Sequence, residues 1–121
     1  MYGGGGLNNM KYLQGKYILD KSGNPKPVFD VMEWTNWIEN RENTKIAFAW
    51  FEGPGTLYVS TQFTGTDRNF LSQGAPILFE TRVGDTQDAD GPWEKLYKEY
   101  STKEEALAGH IKIIKYLTGK D

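Results

Sequence analysis

The feature that most constrains the fold is KIAFAWFEGPGTLYVSTQF, residues 45–63. Two runs rich in aromatic and β-branched residues flank EGPG, a turn signal, so 45–51 and 56–63 predict an antiparallel hairpin. In the first run Ile46, Phe48 and Trp50 alternate with Ala47, Ala49 and Phe51. Both sets are apolar, which predicts a central strand covered on both faces. In the second run, alternation directs Leu57, Val59 and Thr61 inward and Tyr58, Ser60 and Gln62 outward.

The remaining elements assemble around that hairpin. KYILD (16–20) reads as a short strand, KSGNP as a turn, and PKPVF (25–29) as an extended segment that its two prolines confine to an edge. Asp30 with Glu33 three residues on predicts a helix start. Val31, Trp34 and Ile38 form that helix's apolar stripe, Trp37 widens it, and the polar string Glu39 to Asn43 ends it. PILFETRV (76–83) is a further strand and GDTQDADGP (84–92) a polar turn. WEKLYKEY (93–100) has apolar residues at helical spacing, but a fresh helix start follows at Thr102 with Glu105 at its third position. A helix that begins there implies that 93–100 is a strand. The last helix spans about 103–118, with Leu107, Ile111, Ile114 and Leu117 as its core stripe, helped by Ala106 and His110, and Gly119 as its stop. The order predicts an α+β fold: an antiparallel sheet of four to five strands with two helices packed on one face. Residues 1–9, which include four consecutive glycines, read as a disordered leader before a single domain over 10–121.

Several function classes fall away on composition. The chain has no cysteine, which excludes disulfides, thiolate metal sites and cysteine nucleophiles. With one histidine, a zinc site would need an unusual set of carboxylates, so neither metal nor cofactor is expected. Asp88-x-Asp90-Gly91 has part of the spacing of a calcium loop, but Tyr97 stands where such a loop needs its bidentate glutamate. The N-terminal GGGG lacks the strand, helix and Lys-Ser/Thr of a phosphate loop. Net charge is −2, with 14 basic and 16 acidic residues and no run of either sign, which argues against generic nucleic-acid binding. No apolar run approaches the ~18–20 residues of a membrane span, and MYGGGGLNNMKYL has no signal-peptide core, so a cytoplasmic protein is expected. Four Trp, seven Tyr and six Phe are more than so small a core easily hides, which predicts one exposed aromatic patch suited to a partner.

The candidate site lies around TGTDRNFLSQGAP (64–76), a connection longer than its flanking strands require. Phe70 and Leu71 are expected to tuck this loop down and leave Asp67, Arg68 and Asn69 available. Glu80 alternates with Phe79 and is expected to face solvent, and Arg82 adds a further cation. Asp67, Arg68, Asn69, Phe70, Glu80 and Arg82 are therefore the candidate binding residues. A catalytic reading would use Asp67 or Glu80 as a base with His110 as acid or base. Against it, Asp67 and Asn69 are ordinary turn formers, and a lone histidine beside an apolar stripe is more often packed with one nitrogen satisfied. No catalytic residue is assigned.

Several phrases carry a resemblance. YILD-x-x-G-N-P-x-P-V, S-T-x-F-x-G-x-D-x-N-F, L-F-E-T and Y-S-T-x-x-E-A-x-x-G-H, spread over Lys16 to His110, resemble a group of small bacteriophage and prophage proteins to which no activity is attached. Relatives often carry His after the Asp of the middle motif, where this chain has Arg68. The resemblance implies a phage origin and supplies no catalytic roles. It suggests an accessory protein that binds a host or phage protein in the host cytoplasm, in anti-defence or host takeover. The alternatives are a nucleotide-signal binder, and a small hydrolase or transferase using Asp67, Glu80 and His110. A spare aromatic face and an edge strand would suit a homodimer.

Overall fold

The computed structural model describes residues 14–52, 56–85 and 93–119. The expected leader, the tip of the EGPG turn and most of GDTQDADGP lie outside the described residues. The order is β1 (Tyr17–Leu19), β2 (Pro25–Pro27), α1 (Val31–Ile38), α2 (Arg41–Thr44), β3 (Lys45–Glu52), β4 (Thr56–Phe63), β5 (Phe79–Asp85), β6 (Trp93–Tyr100) and α3 (Lys103–Thr118). β3 to β6 form one antiparallel sheet in sequence order, and β1 and β2 a separate short hairpin. This is the expected α+β architecture.

The helix starts follow the side-chain chemistry read from the sequence. Asp30 Oδ1 accepts from Met32 N and Glu33 N and so caps α1. Thr102 and Glu105 satisfy each other's backbone groups at the start of α3, and Gly119 ends it at φ 73°. Before that cap, 93–100 is strand, as the capping argument required. One detail differs at the polar string after α1. Asn40 caps a second short helix, α2, by accepting from Glu42 N at 3.1 Å.

Alternation in the two middle strands builds the core. Register sets Phe63 against Phe79, Thr61 against Thr81 and Val59 against Val83, and all six are buried on the face that α3 covers. Phe63, Leu78, Phe79 and Ala106 form one cluster, and Val59, Val83 and Ile113 another. Trp37 of α1 meets Phe63 edge-on at 5.6 Å, so the first helix also closes onto this face.

Two readings need correction. Among the described residues β3 is an edge strand and not a doubly covered centre: it pairs there with β4 alone, and Phe48 and Trp50 are 54% and 57% exposed. An apolar residue on each face says nothing about whether a neighbour exists on each side. The expected stripe of α3 holds in part: Ala106 and His110 are buried with Ile113, and Ile114 and Leu117 pack against the core, whereas Leu107 and Ile111 point to solvent. Small residues decide this rotation. The Tyr100 ring lies against Gly109, where a Cβ would collide with it, so the helix sits close to the sheet through its smallest side chains.

Candidate functional site on the open sheet face

Strand periodicity sends every second side chain to the face that α3 leaves uncovered. That face presents Phe48 and Trp50 from β3, Tyr58, Ser60 and Gln62 from β4, Glu80 and Arg82 from β5, and Glu99 from β6. Phe48 stacks on Tyr58 with ring centroids 6.1 Å apart and 18° between planes. Tyr58 stands opposite Gly84 in register, and its ring occupies the space a side chain there would need. Glycine at 84 therefore lets an aromatic lie flat across the sheet.

Glu80 is the centre of the polar part. Its side chain is only 2% exposed, although it belongs to the open face. The expectation that it faces solvent is corrected: the face is right, but other side chains close over it. Gln62 Nε2 donates to Oε2 at 2.7 Å, Arg82 Nε to the same oxygen at 2.8 Å, and Arg68 Nη2 to Oε1 at 3.0 Å. A carboxylate can be buried when its lone pairs are used by cationic and amide donors in this way. Register also places Glu80 directly opposite Glu99, a like-charge pair that is unfavourable by itself. Arg68 resolves it by reaching both, with Nη1 donating to Glu99 Oε2 at 3.2 Å. The guanidinium fork suits this bridging, which a neutral imidazole at the same position could not reproduce.

The loop that carries Arg68 is laced shut. Asp67 Oδ1 accepts from Asn69 N at 2.7 Å and Ile77 N at 2.9 Å, Asn69 Nδ2 donates to Ala75 O at 3.1 Å, and Arg68 N donates to Ile77 O at 2.9 Å. Asp67 and Asn69 thus hold the loop's own backbone and are not held out for a partner. At its root Gly65, at φ 75°, turns its carbonyl to accept from Tyr17 N and Trp34 Nε1. Phe70 leans on Gly15 but stays exposed, and Leu71 is 94% exposed, so the expected tucking holds for neither fully. Of the six candidate residues, the structure brings Arg68, Glu80 and Arg82 into one cluster and leaves Phe70 at the loop surface.

Beside the cluster lies a cavity of about 570 Å³ lined by Arg41, Thr44, Gln62, Arg68, Glu80 and Arg82. A smaller hollow of about 310 Å³ shares Arg41, Thr44 and Gln62 and extends to Phe48. Arg41 is absent from the candidate set read from sequence, and the two β3 aromatics, outside the six candidate residues, supply the exposed aromatic patch that composition predicts. Their signal was present in the apolar outer face of 45–51, but recognising it required knowing that this strand is an edge.

The proposed catalytic trio is not assembled. His110 and Glu80 sit on opposite faces of the sheet, because Glu80 and Thr81 are successive residues of β5. On the helix side His110 Nδ1 is 2.7 Å from Thr61 Oγ1, which is 2.6 Å from Thr81 Oγ1. This buried chain joins α3 to the two middle strands. Desolvation by burial holds the His110 pKa below its ordinary value of 6.5. Among the described residues, no three His, Asp or Glu side chains converge to hold a metal. No helix of the described residues is long and apolar enough to cross a membrane.

Comparisons with protein-family models, curated proteins and solved structures find no match to this chain.

Proposed function

We propose that this chain is a non-catalytic binding module whose open sheet face seats a protein partner. The observation that carries the reading is the exposure of Phe48 and Trp50, each more than half accessible, on a face bordered by the Arg68–Glu80–Arg82 network. Aromatic anchors beside a charged border are the composition of interface centres and rims. The network adds rigidity, since each arginine is held by at least one carboxylate before any partner arrives. The resemblance to small phage proteins supports a setting in the cytoplasm of an infected bacterium, where the module would block a defence or redirect a host process.

The test is quantitative capture from host lysate by the intact chain and by a Phe48→Ser, Trp50→Ser variant of unchanged circular dichroism. The reading expects one stoichiometric protein retained by the first and lost by at least tenfold with the second. Equal capture by both contradicts it.

One observation favours a second reading, a nucleotide binder. The cavity of about 570 Å³ is lined by three arginines, Arg41, Arg68 and Arg82, and Phe48 lines the adjoining hollow. Such a cavity is of the size that small ligands use. A melting-temperature screen against nucleotides should then show a concentration-dependent rise that Arg41→Ala abolishes.

A further inference from the structure

We propose that the chain pairs with a second copy of itself through β3, in antiparallel register about a two-fold axis at Ala49. This goes beyond the partner-binding reading and does not depend on it. Among the described residues, β3 has a strand on one side only. An uncovered edge offers a row of backbone donors and acceptors, and proteins usually blunt such edges with charge. The two edges of this sheet differ in that respect. β6, WEKLYKEY, carries four charges along its length. β3, KIAFAWFE, has six uncharged residues between a terminal Lys45 and a terminal Glu52.

That sequence is complementary to itself. A two-fold axis normal to the sheet keeps each face on its own side, so facing residues must share a face. With the axis at Ala49, Phe48 meets the partner's Trp50 and Trp50 meets the partner's Phe48, both on the open face. On the α3 face, Ala47 meets the partner's Phe51, small against large. The ends then carry opposite charge: Glu52 of one copy approaches the partner's Lys45. The irregularity between Lys45 and Ala47 matters here, because it leaves Lys45 level with Gln62 on the open face, the face of Glu52. Centring on Phe48 instead sets Trp50 against the partner's Lys45 and carries Glu52 past the end of the partner's strand, so the opposite charges no longer meet. The Ala49 register extends the sheet to eight strands and doubles the open face.

Sedimentation of the full chain over micromolar to millimolar concentrations tests this, with circular dichroism confirming the fold of each variant. The wild type should reach twice the chain mass. Lys45→Glu alone and Glu52→Lys alone should each weaken association roughly tenfold, because the symmetry repeats each like-charge contact. The double reversal should return to within about twofold of wild type. The chain has no cysteine, so Ala49→Cys provides a second readout: on oxidation it should form a disulfide-linked dimer, while Leu71→Cys should not. A wild type that stays monomeric overturns the proposal and leaves the edge to a different protein. A dimer that the double reversal does not restore, or in which the two cysteine variants cross-link equally, overturns this register.

Discussion

Replacing Glu80 with glutamine tests whether the charged cluster is a built part of the fold. The substitution keeps shape and volume and removes the charge. Oε2 now accepts from both Gln62 and Arg82, and Oε1 from Arg68. An amide places an NH2 group where one of these oxygens was, so at least one donor faces another donor in either orientation. A hydrogen bond to a charged group contributes about 1.5–3 kcal/mol. The side chains of Arg68 and Arg82 are 40% and 37% exposed, so they recover part of this from water. The net expectation is a loss of about 2 kcal/mol. Arg68 would also lose the partner that balances its contact with Glu99. Urea unfolding followed by circular dichroism reads this directly: at a slope of about 1.5 kcal/mol per molar, the midpoint should fall by about 1.3 M with the slope unchanged. A change below about 0.5 kcal/mol would refute the reasoning, because it would mean that water already satisfies the arginines.

Three further outcomes follow from contacts described above. The His110 pKa is lowered in the folded chain, so the unfolded chain takes up the proton first. Its contribution is complete above 6.5 and lost as pH falls from there towards the folded value, and His110→Gln should flatten that part of the stability–pH curve relative to wild type. Tyr100 Oη is buried with no hydrogen-bond partner among the described residues, so Tyr100→Phe should leave stability unchanged or raise it by up to about 1 kcal/mol in thermal unfolding. Gly84→Ala should cost about 1–3 kcal/mol by displacing the Tyr58 ring, and the penalty should shrink in a Tyr58→Ser background, a coupling measured by a double-mutant cycle.

The fold was largely legible because its signals are local. Thr102 and Glu105 mark the start of α3, and that alone turns the ambiguous WEKLYKEY into a strand. Alternation also assigned Val59 and Thr61 to the core correctly. What escaped depends on partners distant in sequence. Glu80 was placed on the right face, but its burial comes from Arg68 on a loop and Gln62 on a neighbouring strand. Arg68 makes sense only once register is known to set Glu80 against Glu99. In the helix stripe Ala106, His110, Ile114 and Leu117 meet the core as expected, but Leu107 and Ile111 do not, because close approach to Tyr100 turns Ala106 and Gly109 towards the sheet. The edge position of β3 is a property of topology and leaves no mark in the alternation of 45–51 itself.

The central claim is that the open face around Trp50 meets a protein partner. Site-specific photocross-linking addresses it most directly, with p-benzoylphenylalanine at position 50 compared with position 111 on the exposed side of α3. Irradiation in host lysate should give, from position 50, a discrete product whose mass is the chain plus a different protein, beside the product of twice the chain mass that pairing through β3 gives, and neither from position 111. Products from position 111 alone, or equally from both, would contradict the account.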